Sequence, residues 1–227
     1  MIEIISKNIK NIRKKLQYSQ EDVAERLGMS RQTYISIESG NRDITTEEID
    51  KLSALFKVTP SEIIEENRNN EKFIEMYQFV LSIFNKSGIP KTKLAKILYL
   101  CDFRYFYDNL KSITGVHYIH RQFGPLADIF GDTTYNMEDN GQITITYTPN
   151  QAQIIKSKMY KPKFNLLTED EKIVIKEICT LWMDKSTEEI VNFTHEQKPW
   201  SSSNDGEYIP YSLIIQEDPD HVYQPVE

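Results

Sequence analysis

Apolar residues recur at helical spacing in short blocks over the first 64 positions. Ile9, Ile12 and Leu16 mark a first helix that ends near Gln17. Ser19 is placed to cap a second helix, Gly28 to end it, and Ser30 to cap a third. Thr45 or Thr46 opens a fourth, with Ile49, Leu52, Leu55 and Phe56 on its inner face. Pro60 starts a short fifth that carries Ile63 and Ile64. The run EENRNNEK, residues 65–72, is polar and has no apolar anchor, so it reads as a linker. The expected division is a five-helix all-α domain over 1–67, a linker at 68–72, and a second domain over 73–227.

Beyond residue 72 the pattern changes. Phe73 to Phe84 is helical, and Gly88-Ile89-Pro90 breaks it. A longer helix follows, with Leu94, Ile97, Leu98, Cys101 and Tyr105 on one stripe. Another helical run comes after GVHYIHRQFGPL and stops at the turn Asp139-Asn140-Gly141. QITITYT alternates as a half-buried strand does. Thr168 with Glu171, and Ser186 with Glu189, are spaced as capping boxes that open two more helices. Helices dominate with a minor sheet, so this half is mainly helical α+β.

The stretch SQEDVAERLGMSRQTYISIESG, residues 19–40, asks for a purpose. Gly28 supplies the left-handed backbone that reverses the chain steeply between two helices. Ala24 is small enough to let those helices approach. Val23, Leu27, Met29, Tyr34 and Ile37 form the apolar set that holds the pair. Arg31, Gln32, Thr33 and Ser36 are left facing outward at the start of the third helix. Arg pairs with guanine edges, Gln with adenine, and Thr offers a methyl and a hydroxyl. Gln20 opens the second helix, where an amide meets a phosphate. A solvated helical hairpin is the alternative.

Over residues 5–66 this unit resembles the Xre or phage-repressor type of helix-turn-helix. The match includes Ala24, Gly28, Ser30 and Glu38. The resemblance implies that Gln20, Arg31, Gln32 and Ser36 touch DNA, with Arg42 near phosphate. It also implies an ion pair between Arg13 and Glu38, expected to be partly exposed and to orient more than stabilise. Three later pieces resemble the Panacea, or SocA-like antitoxin, domain. They are KLAKILYLCDFRYF (93–106), RQFGPL (121–126) and STEEIVNFTHEQKPW (186–200). Phe123 stands where that family usually has Tyr, and Lys198 where Gly or Ala is commoner. What the resemblance implies is a domain that binds and neutralises a partner toxin.

Charge sharpens the division. The chain carries −7 overall, yet residues 1–42 hold eight basic residues against five acidic ones, a local +3. Phosphate binding depends on the docking face rather than the whole chain. No apolar run is long enough for a bilayer and the first ten residues lack a signal-peptide pattern, so a cytoplasmic, bacterial or phage-encoded protein is expected. Cys101 and Cys179 lie in apolar helical patterns, as buried thiols do in a reducing compartment.

A catalytic reading would use Cys101, but it sits on an apolar stripe; a metal reading would use His117, His120 and His195, but no HxxxH or CxxC pattern supports it. No cofactor, no metal and no enzyme activity are expected. His195 is expected to hydrogen-bond locally before Pro199, with Trp200 in an apolar slot. Aromatics and Arg are the usual anchors of an interface. Tyr105, Tyr107 and Arg121 are the candidate partner contacts, with Phe123, Pro125, His195 and Trp200 shaping that surface from beneath. The expected function is an antitoxin that binds a cognate protein toxin and, as a homodimer on an inverted-repeat operator, represses its own operon. The alternative is a phage-type or metabolic repressor whose second domain senses a small molecule.

Overall fold

The computed structural model describes residues 2–58, 60–64, 69–84, 87–160 and 162–223. Its contacts divide the chain into two compact units, Met1–Arg68 and Asn69–Glu227.

The first unit is all-helical: α1 (Ile2–Lys15), α2 (Gln20–Leu27), α3 (Arg31–Glu38), α4 (Thr46–Phe56) and α5 (Pro60–Ile64). Local chemistry sets these limits. Ser19 and Asp22 form a reciprocal capping box at the start of α2, and Thr45 and Glu48 form another at α4. Gly28 adopts φ +70°, and the amides of Gly28 and Met29 return to the carbonyls of Glu25 and Ala24, a Schellman end. Ile9, Val23, Tyr34 and Leu52 are fully buried at the centre, with Ala24 and Ile37 nearly so.

The second unit is mainly helical with two small antiparallel sheets. Its helices are α6 (Asn70–Ile83), α7 (Lys91–Asn109), α8 (Phe130–Asp139), α9 (Glu169–Trp182), α10 (Thr187–Glu196), α11 (Lys198–Ser201) and α12 (Pro219–Tyr223). The strands are β1 (Ile89–Pro90), β2 (Tyr118–Ile119), β3 (Leu126–Ala127), β4 (Ile143–Tyr147), β5 (Gln153–Ser157) and β6 (Tyr208–Ile209). One sheet has the order β1-β5-β4 and the other β3-β2-β6. In the second, Tyr118 stands opposite both Ala127 and Ile209.

Two expectations change. Helix α7 is buried on every side from Lys93 to Phe103, not along one stripe, because α6, α9, α10 and β3 all pack against it. The polar run 65–72 is not all linker either. Residues 65–68 lie outside the described ones, but Asn69 caps α6 through the Lys72 amide, and its own amide donates to the Thr114 carbonyl at 2.7 Å. Lys72 Nζ lies 2.6 Å from Glu171 Oε1. Residues 69–72 therefore belong to the second unit.

Candidate functional site

In the first unit the outward residues gather at the start of α3. Arg31 and Gln32 are exposed and Thr33 and Ser36 half-exposed, while Tyr34 and Ile37 on the same helix are buried. Ser30 caps the helix by accepting from the Thr33 amide at 3.0 Å, and the Ser30 and Thr33 hydroxyls sit 2.8 Å apart. Ser36 donates to the Gln32 carbonyl at 3.0 Å. Among the described residues Arg31 makes only a loose, exposed ion pair with Glu21, at 3.5 Å. The two longest side chains on this face are thus the two least committed.

Behind that face Glu38 gathers the domain. Arg13 reaches it with Nε and Nη2, Gln20 donates to Oε2 at 2.8 Å, and the Tyr34 hydroxyl donates to Oε1 at 3.1 Å. Arg13 also donates to the Tyr18 carbonyl at 2.8 Å. Burial alone would raise the Glu38 carboxyl; the hydrogen bonds from Arg13, Gln20 and Tyr34 outweigh it and hold the group below its ordinary value. The Arg13–Glu38 pair, expected to be partly exposed, has side chains only 11% and 3% accessible. The reason is position: Glu38 ends a helix whose inner face packs on α1. The side-chain amide of Gln20 is spent on Glu38, and Arg42 is spent on Glu48, with Nη1 and Nη2 each 3.0 Å from Oε1. Both contacts order side chains that the sequence places near phosphate.

In the second unit three separated segments meet behind the β2–β3 hairpin. Lys96, on the buried α7, donates Nζ to the Pro125 carbonyl at 2.8 Å. Gly124, at φ +91°, packs so tightly there that a Cβ would stand 2.7 Å from Lys96 Cε and 3.0 Å from Thr194 Oγ1. His195, next to Thr194, stacks flat on Trp200, with ring centroids 3.9 Å apart. His120 covers Trp200 at 4.2 Å, and its Nδ1 is 2.8 Å from the Ser203 carbonyl. Trp200 donates Nε1 to the Arg121 carbonyl at 3.2 Å. Burial pulls the Lys96 ammonium down to about 7. Burial, then the nearby Lys96 and His120, lowers His195 as well.

The sequence candidates separate into two places. Arg121, Phe123, Pro125, His195 and Trp200 come together at this hairpin. Tyr105 and Tyr107 do not join them: both are half-buried near the end of α7, where Tyr107 meets Tyr223 edge-on at 5.9 Å. Phe123, expected beneath the surface, is 65% exposed, because it occupies the hairpin loop rather than a strand. Trp200 is half-buried instead of filling a closed slot, and His195 contributes ring stacking; its Nε2 has no hydrogen-bond partner among the described residues.

Thr194 belongs to the Thr194-His195 and Pro199-Trp200 element that carries the Panacea resemblance, whereas Lys96 and Gly124 are not singled out by the sequence reading. A lysine inside the apolar run KLAKILYL was the available signal. Cys101 and Cys179 are free and buried, and burial pushes both thiols up, away from nucleophilic use. Among the described residues no group of three metal-binding side chains is gathered, and His117 packs instead on Tyr208.

Comparison with known families agrees with the two units. Residues 9–63 match the family model described as "Helix-turn-helix", and residues 94–201 match the one described as "Antitoxin SocA-like, Panacea domain". No curated protein and no solved structure matches the chain. No described helix is long and apolar enough to cross a membrane.

Proposed function

Given that the chain joins a helix-turn-helix domain to an antitoxin SocA-like Panacea domain, we propose that it is a self-regulating antitoxin. Its second unit binds and neutralises a protein toxin encoded beside it, and its first unit represses the shared operon as a homodimer on an inverted repeat. The observation that carries this reading is the pairing of the two domain types on one chain, one for DNA and one antitoxin-like. The geometry adds support on the DNA side. Arg31 and Gln32 stand exposed at the start of α3 while Glu38 fixes the other end of that helix through Arg13, Gln20 and Tyr34. An ordered helix with an exposed Arg and Gln at its N-terminal turn is what major-groove reading requires. Thr33 and Ser36 complete that face, and Gln20 and Arg42 flank it as phosphate contacts.

Growth tests the neutralisation half. The adjacent gene is induced alone and then together with the full chain. Growth arrest in the first case and rescue in the second is the expected outcome. A neighbour that is harmless alone, or an arrest the chain does not relieve, overturns the antitoxin reading and leaves a ligand-sensing repressor.

A further inference from the structure

The loop between β2 and β3, residues 120–125, is a short prong held from behind. Its turn is closed by the Gly124 amide donating to the Arg121 carbonyl at 2.8 Å. That same carbonyl receives Trp200 Nε1, and the next residue along, Pro125, has its carbonyl tied to Lys96. At the other side His120 is fixed through its backbone: its amide donates to the Glu207 carbonyl at 2.9 Å, and its carbonyl accepts from the Gly206 amide at 3.0 Å. Every one of these ties goes to the backbone of the loop or to its buried glycine and proline. None goes to the side chains of Arg121, Gln122 or Phe123, which are all exposed. Among the described residues Arg121 has no ion-pair partner and Phe123 no ring contact.

What sets this loop apart is its fixed backbone rather than the exposure of one ring, since Leu110, Tyr135 and Tyr147 are exposed to a similar degree. A phenylalanine left 65% exposed contributes little to folding, and an exposed guanidinium without a carboxylate contributes little more. What the arrangement does provide is a rigid display of an aromatic ring beside a cation. Such residues anchor interfaces, and fixing their backbone beforehand removes the ordering cost of association.

We infer that the tip Arg121-Gln122-Phe123 is the specificity-reading element of the toxin contact, with Phe123 entering an apolar socket and Arg121 pairing with an acidic rim on the toxin. Lys96, Gly124, Thr194, His195 and Trp200 form the bracket that presents the tip and are positioning residues. This inference rests on the antitoxin reading and locates its surface. A second copy of the chain is the competing occupant, and the test below separates it from the toxin.

The test measures binding of the full chain to the toxin from the adjacent gene, by calorimetry, alongside growth rescue. Three chains are compared with wild type: Arg121→Glu, Phe123→Ser, and Tyr135→Ser. Tyr135 is 68% exposed on α8 and serves as a control aromatic of equal accessibility. The expected result is a loss of roughly a hundredfold or more in affinity for each tip variant, with the control unchanged. Melting temperature and operator retention should stay at wild-type values in all three. If Phe123→Ser lowers the melting temperature, Arg121→Glu alone decides, since the Arg121 side chain makes no hydrogen bond or ion pair among the described residues. Wild-type rescue with both tip variants still binding tightly overturns the tip while leaving the antitoxin reading intact. Failure of wild type to bind or rescue sinks the antitoxin reading itself. A change in self-association, without a change in toxin affinity, overturns the tip in favour of a second copy.

Discussion

Arg13 holds Glu38 with two of its guanidinium nitrogens, one on each carboxylate oxygen, and both side chains are closed off from water. A buried pair behaves differently from an exposed one. Exposed pairs are worth about 0.2–1 kcal/mol, whereas removing one member of a buried pair leaves the other charge stranded and costs about 3–5 kcal/mol. Glu38→Gln should therefore destabilise the first unit itself, by about 3 kcal/mol, rather than only weakening DNA binding. Tyr34 and Gln20 lose a charged acceptor at the same time. Thermal unfolding followed by circular dichroism checks this. A melting temperature within a degree or two of wild type would show that the pair is not worth what its burial implies.

Specific DNA binding should depend on the two exposed long side chains at the start of α3, Arg31 and Gln32. Arg31→Ala and Gln32→Ala are each expected to cost about 1–3 kcal/mol on the operator and to relax discrimination at one base position. Half-sites about 34 Å apart are expected from a dimer of this domain type. Footprinting upstream of the operon reads both. Unchanged protection with Arg31→Ala, or no protected inverted repeat, removes the repressor assignment. Ser36→Ala should do less, because its hydroxyl already serves the Gln32 carbonyl.

What the sequence revealed, and what it hid, follows from range. The capping boxes Ser19/Asp22, Thr45/Glu48, Thr168/Glu171 and Ser186/Glu189 each use residues three apart, so a local pattern contains the whole interaction. The β3-β2-β6 sheet joins Tyr118 to Ile209, and two-residue strands carry no period to read. Lys96 was hidden for the same reason. Its partner is a backbone carbonyl 29 residues away, and a lysine gives no sequence hint of which carbonyl it will meet. The burial of Arg13 and Glu38 likewise depends on how α1 crosses α3, which composition does not encode.

The start of the second unit gives a sharper fragment test than the polar run suggests. A chain of residues 69–227 keeps the Asn69 cap, its bond to Thr114, and the Lys72–Glu171 pair, whose side chains are 13% and 3% accessible. A chain of residues 73–227 loses all three and leaves the buried Glu171 carboxylate without its cation, held only by the Thr168 amide. The longer fragment is expected to fold alone, and the shorter to be less stable by about 3 kcal/mol or more. Both tryptophans, Trp182 and Trp200, lie in this unit, so urea unfolding by fluorescence compares the fragments directly. Equal midpoints would mean that residues 69–72 act as linker after all.

Lys96 should write a pH dependence into the second unit. Its ammonium is lowered by burial from 10.5 to about 7 in the folded chain, so above pH 7 the unfolded chain holds more protons at this site than the folded one. Stability then rises with pH, starting near 7 and continuing toward 10.5. His195, also lowered, adds a rise in the same direction below 6.5. Asp102 works the other way: burial raises it from 3.8 to about 6 against hydrogen bonds from Thr114 and Tyr118, so its effect is largely complete before pH 7. The buried thiols oppose the trend only as pH approaches 9, where the cysteines of the unfolded chain ionise. Lys93, also lowered by burial, acts in the same direction, and between pH 7 and 8 Lys96 alone should raise the unfolding free energy by about 1 kcal/mol. Lys96→Met, which keeps the stem and removes the amine, should flatten that rise whatever it does to absolute stability. Urea midpoints read by tryptophan fluorescence at pH 7.0, 7.5 and 8.0 settle it: an equally steep rise in the variant would assign the titration to another group.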